Sequence, residues 1–208
     1  MAYDVERKPG AFAKGREAAE MRMAVIFGCL LGGAVVISSA LLVAGASGVV
    51  AALMLLAVAY VTNHFAVEHL HAGVNWGKGG NGEAKVGRVL EGLRREGYFV
   101  MHDLEEGIAG NIDHLVSGPT GAFMVETKFR RYDSDRDLAR ARRVAHLLAT
   151  QLRTSWVQPV ICFATRSYGP REIKGVVLVG VDELVPFIRS QRNAVVAFEA
   201  LTAFADQQ

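Results

Sequence analysis

The chain has 208 residues, of which 51% are hydrophobic, and a formal net charge of +2. This length can hold one domain of ordinary size together with an additional apolar segment. The two cysteines, Cys29 and Cys162, do not indicate a disulfide framework, and a reducing compartment is consistent with this number.

The first part of the chain predicts a membrane anchor. Residues 1–22 form a charged N-terminal segment, which we expect to be loosely ordered or to lie at the membrane surface. Residues 23–67 are 45 consecutive residues without Asp, Glu, Lys or Arg, about twice the ~20 residues that one helix needs to cross a bilayer. The run divides at 45–48, which predicts a transmembrane helical hairpin with helices over 23–44 and 49–67. The alternative is a helical pair buried in a soluble core.

The charges that flank this hairpin predict its orientation. Basic residues precede the first apolar helix and follow the second, and the turn between the helices has no charge. Since basic flanks stay in the cytoplasm, we expect both termini at the cytoplasmic side of the inner (cytoplasmic) membrane, with the lipid bilayer as a partner.

A glycine-rich stretch connects the hairpin to the rest of the chain. Residues 68–82 contain five glycines and predict a flexible tether. The folded domain is expected over 83–208. It opens with a helix over 83–96, with a buried stripe of Val86, Val89, Leu90 and Leu93 and a stop at Gly97. Glu83 lies on or beside this stripe, where an acid in the first turn is favoured by the helix dipole.

The central feature of the domain is a predicted hairpin. Strands are expected over 98–104, 111–117 and 122–128, and the turn Gly118-Pro119-Thr120-Gly121 joins the last two. If Gly118 faces Gly121, Asp113 lies opposite Glu126, and Lys128 shares their face because side chains alternate along a strand. His114 then points to the other face, as a packed histidine.

This register brings two carboxylates together with one ammonium group. Carboxylates at facing positions repel each other, so a cation is expected. Paired carboxylates typically bind a hard divalent cation such as Mg²⁺, and a nearby lysine can hold the attacking water. The alternative is a salt-bridge cluster of Asp113, Lys128 and Glu126 on a solvated face.

The remaining elements predict an α/β fold. A helix from 133 or 134 to 153, strands over 157–164 and 175–180, and helices over 182–190 and 194–205 give a mixed sheet with helices on both faces. Basic residues cluster after Lys128. This pattern fits either a solvated helix face or contact with a nucleic-acid backbone by Arg130, Arg131, Arg136, Arg140 and Arg143.

Three motifs resemble those of the nuclease-related domain (NERD), a branch of the PD-(D/E)XK nuclease superfamily. They are the segment from Gly82 to Leu90, the segment Asn111-Ile112-Asp113-His114 with its Gly-Pro-Thr-Gly turn, and Glu126-Thr127-Lys128. The resemblance covers about 79–205. It implies a restriction-endonuclease-like mixed β-sheet flanked by helices, and a nuclease that requires Mg²⁺ or Mn²⁺ and hydrolyses phosphodiester bonds of nucleic acid, with DNA as the expected substrate.

The resemblance also implies the roles of individual residues. Glu83 becomes the third acidic residue of the site, so that Glu83, Asp113 and Glu126 bind the metal, with the backbone carbonyl of Thr127 as a further ligand. Lys128 completes the catalytic set. Related domains often have a glutamine near the start of the helix after Lys128, where this chain has Leu138, Ala139 and Arg140. This departure supports an alternative: a weakly active or inactive, membrane-tethered module that binds nucleic acid or acts as a scaffold.

Overall fold

The computed structural model describes residues 8–43, 48–106, 110–129 and 134–206. The chain divides into two compact units, one formed by Ala13–Gly77 and the other by Met1–Phe12 together with Lys78–Gln208. We call them the apolar unit and the α/β unit.

The apolar unit is a pair of helices, drawn from α1 (Ala11–Val43) and α2 (Gly48–Glu91). Both helices are long and apolar enough to cross a membrane, and 6% of the most apolar stretch of each is buried. The pair is therefore not a core helix pair of the structure described here. Within the unit Phe27 stacks on Phe65, with ring centroids 5.3 Å apart, and Glu20 Oε2 lies 2.6 Å from His69 Nδ1.

Two expectations for this region are corrected by the structure. Residues 1–22 were expected to be loosely ordered or to lie at the membrane surface, and the first alternative is wrong for residues 11–22. Helix α1 begins at Ala11, because this stretch is rich in strong helix formers. The glycine-rich stretch expected to be a flexible tether is helical throughout, as part of α2. Its glycines allow close packing: a Cβ at Gly73 would lie 3.2 Å from Met21 Cε, and one at Gly82 would lie 3.2 Å from Ala164 Cβ.

The α/β unit is built on one sheet of six strands in the order β1-β2-β3-β4-β6-β5. Strands β3, β4 and β6 are parallel, and the other pairs are antiparallel. The strands are β1 (Phe99–Glu106), β2 (Gly110–Gly118), β3 (Gly121–Lys128), β4 (Gln158–Phe163), β5 (Arg171–Ile173) and β6 (Val176–Gly180). The short edge strand β5 was not predicted, because its three mostly polar residues look like part of a loop.

Helices cover both faces of this sheet. On one face, α3 (Ser134–Gln151) and α5 (Phe198–Ala205) bury a core that includes Leu115, Met124 and Leu148. On the other face, the end of α2 and α4 (Val181–Ser190) enclose a second core around Phe123. The predicted α/β fold, with a mixed sheet between helices and two apolar helices before it, is confirmed.

The end of α2 and the central hairpin follow the sequence closely. Val86, Leu90 and Leu93 are buried as expected, whereas Val89 is 37% exposed. After α2 a 3-10 helix (Gly92–Glu96) ends at Gly97, which has a left-handed backbone with φ +83°. The strands β2 and β3 pair in the predicted register, from Gly118↔Gly121 to His114↔Val125.

Candidate active site

The site lies where the ladder between β2 and β3 ends. The last paired residues are His114 and Val125. At the next position of β2, the side-chain carboxylate of Asp113 accepts a hydrogen bond from the backbone of β3. Its Oδ2 accepts a hydrogen bond of 2.6 Å from the backbone N–H of Thr127. The turn at Gly118 to Gly121 thus sets the register that brings Asp113 to the end of β3.

The surroundings of two carboxyl groups of the site disfavour their ionised form. Burial, together with repulsion from Glu126 and Glu83, raises the pKa of Asp113 well above its usual range. Burial, with repulsion from Asp103 and Glu126, raises the pKa of Glu83 to about 7. Buried acids with raised pKa values are a feature of functional sites. A bound cation would offset both the burial of the ionised carboxylates and the repulsion between them.

In contrast to these two acids, Glu126 has a cationic side chain next to each of its carboxylate oxygens. Lys128 Nζ lies 3.2 Å from Glu126 Oε1, and Arg140 Nη1 lies 2.5 Å from Oε2. Lys128 also pairs with Asp137 Oδ1 at 3.2 Å. Burial acts to lower the pKa of Lys128, but attraction by Glu126 and Asp137 outweighs it and raises that pKa. Lys128 therefore stays protonated at neutral pH.

Sequence reasoning missed Asp137 and did not foresee the contacts that Arg140 makes. Arg140 was predicted to contact nucleic acid, and in the structure its second nitrogen, Nη2, donates to the Asn111 carbonyl at 2.6 Å. Both residues lie on α3, one turn apart, on the helix that directly follows β3. That spacing was the available signal, since residues three apart share a helix face.

Asp103 is a further acid that the sequence did not indicate. It is 3% exposed and lies on β1 opposite Asp113, between the pairs His102↔His114 and Leu104↔Ile112. Its backbone is left-handed, with φ +49°, and its Oδ2 accepts a hydrogen bond of 2.6 Å from the Ala11 N–H. The position of the Asp103 carboxylate depends on this unusual backbone conformation, which the sequence does not indicate.

A chain of hydrogen bonds on the α2 face of the sheet links the exposed Glu91 to two buried histidines and Thr127. Glu91 Oε1 lies 2.7 Å from His102 Nε2, the two histidine Nδ1 atoms are 2.8 Å apart, and His114 Nε2 is 3.2 Å from Thr127 Oγ1. We call this chain the histidine relay. His114 is a satisfied, fully buried histidine, which confirms the prediction for it.

The protonation states determine which group donates and which accepts in each hydrogen bond of the histidine relay. Burial lowers the pKa of His102 and lowers that of His114 further, so both rings are neutral. Burial acts to raise the pKa of Glu91, but hydrogen bonds from Arg94 and His102 lower it overall, so Glu91 is ionised. Thr127 therefore donates to His114, His114 to His102, and His102 to Glu91.

Of the other predicted nucleic-acid contacts, Arg136 and Arg143 are exposed on α3. Arg130 and Arg131 lie outside the described residues.

The donor atoms of the site suit a hard divalent cation, because they are carboxylate oxygens. In residues 8–43, 48–106, 110–129 and 134–206, however, no three His, Cys, Asp or Glu side chains form a group that could hold a metal ion. The carboxylates of Glu83, Asp113 and Glu126 are the donors available to such an ion, and both oxygens of Glu126 contact cationic side chains in this structure.

The fold and the site define the class of protein: a mixed α/β domain in which carboxylates and a lysine meet at the end of the central strands, after a helix that carries one more glutamate. Residues 78–164 match the family model described as the nuclease-related domain (NERD). Over this range the chain is therefore similar to the nuclease-related domain.

The chain is also similar to a curated relative of unknown activity. An uncharacterized protein of Bacillus anthracis is 39% identical over 80 residues, which cover 36% of each chain. The present chain thus spans about a third of the length of the relative it matches. No solved structure matches it significantly.

Proposed function

We propose that this protein is a membrane-anchored nuclease that requires a divalent metal ion and hydrolyses phosphodiester bonds of nucleic acid, with DNA as the expected substrate. The observation that carries the proposal is the meeting of Asp113, Glu126 and Lys128 at the end of β3, beside Glu83, in a domain similar to the nuclease-related domain. Fold alone does not define activity, so the proposal rests on these side chains.

Glu83, Asp113 and Glu126 would hold Mg²⁺ or Mn²⁺, with the backbone carbonyl of Thr127 as a further ligand. The metal ion supplies a polarised water and neutralises charge on the phosphate. The Thr127 N–H fixes one oxygen of Asp113, which leaves the second oxygen for the cation. The ligands are thus presented by the ends of two paired strands and one helix, which are rigid elements.

Lys128 acts as a cation and not as a base. Its raised pKa keeps it protonated, so it cannot accept the proton of the attacking water. Its ammonium group can donate hydrogen bonds to that water and to the phosphate oxygen on which negative charge develops.

Basic residues after β3 would hold the nucleic-acid strand. Arg136 and Arg143 are exposed on α3, and Arg130 and Arg131 stand just before this helix in the sequence. Contacts from such residues to phosphates position a strand without reading its sequence. In this proposal the apolar helices cross the inner membrane, and both termini lie in the cytoplasm.

The proposal is tested by cleavage of linear, nicked, circular and single-stranded DNA and of RNA by the full chain in detergent. Reactions contain Mg²⁺, Mn²⁺ or a chelator. Cleavage that needs metal and is lost in Glu126→Gln and Lys128→Gln, but kept in the exposed control Glu199→Gln, supports the nuclease. A folded protein that cleaves none of these substrates refutes it.

A second candidate function is a binding module without cleavage activity. The observation that favours it is the neutralised state of Glu126, whose oxygens are occupied by Lys128 and Arg140. Such a module would bind nucleic acid with an affinity that falls as salt rises. Arg136→Glu and Arg143→Glu should then weaken the binding of unrelated sequences alike, and a flat response to salt would argue against any phosphate contact.

A further inference from the structure

Arg140 contacts one of the carboxylates of the candidate site. Its guanidinium joins two elements: Nη1 contacts Glu126 Oε2 on β3 at 2.5 Å, and Nη2 contacts the Asn111 carbonyl on β2 at 2.6 Å. Planar guanidinium groups with two fixed donors are well suited to such double contacts.

This contact is not a loose surface ion pair. The side chain of Glu126 is 12% exposed and that of Arg140 is 28% exposed. The pair is one end of a row of alternating charges, in which Asp137 holds Lys128, Lys128 holds Glu126, and Glu126 holds Arg140. Ion pairs that are partly buried and part of a network are more persistent than isolated exposed pairs.

The carboxylates of the site are unequally supplied with positive charge. Glu126 contacts two cationic side chains, whereas the contact described for Asp113 is a neutral backbone N–H. A divalent cation bound between the carboxylates would need an oxygen of Glu126. Lys128 already contacts Oε1 of this residue, and Arg140 contacts Oε2.

We propose that Arg140 is a built-in counter-ion that competes with the divalent metal ion for Glu126 and so sets the metal affinity of the site. The inference rests on the proposed function of the same site. Metal entry requires the guanidinium to leave Glu126, and the released group can then pair with a phosphate oxygen. Arg140 is in this sense a positioning residue, and the role in nucleic-acid contact predicted from the sequence belongs to the metal-bound state.

The test measures Mn²⁺ binding to the full chain in detergent, without nucleic acid, from the loss of the free-ion signal in electron paramagnetic resonance. Arg140→Gln keeps a polar side chain of similar reach and removes the charge. Its matched control is Arg142→Gln, which removes the same charge from an exposed position on the same helix. Arg140→Gln should bind Mn²⁺ about tenfold more tightly than the wild type, because a charge-assisted hydrogen bond no longer has to be broken. Arg142→Gln should change little.

Each outcome decides between the inference and the proposed function. Tighter binding in Arg140→Gln, including binding there and none in the wild type, supports the inference. Equal or weaker binding in Arg140→Gln, with wild-type binding that Glu126→Gln abolishes, overturns the inference and leaves the metal site standing. A lack of binding in both proteins overturns both. If Arg140→Gln does not fold, Arg140→Lys takes its place, since lysine cannot bridge Glu126 and Asn111 together.

Discussion

At the scale of single residues, the main feature of the protein is the uncompensated charge of its buried acids. The pKa of Glu83 is raised to about 7 by burial and by the neighbouring acids. Above that pH the folded protein must hold an ionised carboxylate that the unfolded chain would expose to water. The folded state therefore binds more protons than the unfolded state between about pH 4.5 and 7, and stability falls as the pH rises through this range.

Replacement of Glu83 with glutamine should remove this penalty. In the absence of divalent metal, Glu83→Gln should raise the free energy of unfolding by about 1–3 kcal/mol at pH 8, because the raised pKa represents an energy of that order. The gain should vanish below about pH 4.5, where the acid is protonated in both states. Thermal melting of the full chain in detergent across this pH range measures the effect.

The exposed residue Glu183 on α4 supplies the control for this experiment, since Glu183→Gln should leave the melting curve nearly unchanged at each pH. If Glu83→Gln instead destabilises the protein at pH 8 without metal, the ionised carboxylate of Glu83 makes favourable contacts in the folded state. The account of the acidic cluster would then be incorrect.

Three of the site residues could be predicted from the sequence because one turn determines their positions. Gly118 and Gly121 fix the register of β2 and β3, and the alternation of side chains then places Asp113, Glu126 and Lys128 on one face. Arg140 and Asp137 could not be placed in this way. Their contacts depend on how α3 packs over the sheet, and local patterns do not give that angle.

At the scale of secondary-structure elements, the turn between β2 and β3 determines the geometry of the site. Gly121 has φ +124°, and a Cβ there would lie 2.4 Å from Asn193 Cβ. The backbone amide of Asn193 in turn donates to the Thr120 carbonyl at 2.9 Å. The turn is therefore held both by its own backbone conformation and by the segment before α5.

Gly121→Ala should destabilise the protein by about 2–4 kcal/mol, because it adds both backbone strain and a steric clash. Gly175 provides a control, since it has φ +77° but nothing within 4 Å of an added Cβ. Gly175→Ala should cost about 1 kcal/mol, for backbone strain alone. Melting temperatures of the two variants compare them directly, and equal losses would show that packing against Asn193 does not matter.

The histidine relay connects α2 to the strand that carries the site. Glu91→Ala should leave the buried His102 N–H without an acceptor and cost about 1–3 kcal/mol. Glu91→Gln keeps an acceptor oxygen and should cost less. Thermal melts of both variants test the relay, which is refuted if alanine and glutamine have the same effect. The sequence placed His102 and His114 on neighbouring predicted strands, but it could not show that they contact each other or that Glu91 accepts from His102.

At the scale of the whole molecule, the fold class and the two apolar helices could be predicted, and the link between the parts could not. Five glycines suggested a flexible tether, yet the stretch is helical. Glycine has a low helix propensity, but here Gly73 and Gly82 pack closely against Met21 and Ala164. Here the close packing of the helix outweighs the low helix propensity of glycine. The sequence alone does not show which residues a helix packs against.

Residues 8–12 belong to the α/β unit. The Ala11 N–H donates to Asp103, and a Cβ at Gly87 would lie 2.4 Å from Pro9 Cβ. A fragment that begins at the glycine-rich stretch would lack these contacts, so experiments on the site require the full chain.

The proposed orientation predicts that the C-terminus lies in the cytoplasm. A phosphatase that is active only outside the cytoplasm should be silent when fused after Gln208, whereas a fluorescent protein fused at the same place should fluoresce. Basic residues on both flanks of the hairpin are the physical reason. An active phosphatase fusion would contradict the orientation.

The most direct test of the central claim is cleavage of circular DNA by the full chain in Mg²⁺, with the wild type and Asp113→Asn measured side by side. The asparagine keeps the shape and an oxygen for the Thr127 N–H, but it removes the charge that the metal ion needs. We predict cleavage by the wild type, none in chelator, and a loss of at least about 100-fold in Asp113→Asn. Equal cleavage by the two proteins, or cleavage that persists in chelator, would contradict a metal-dependent nuclease at this site.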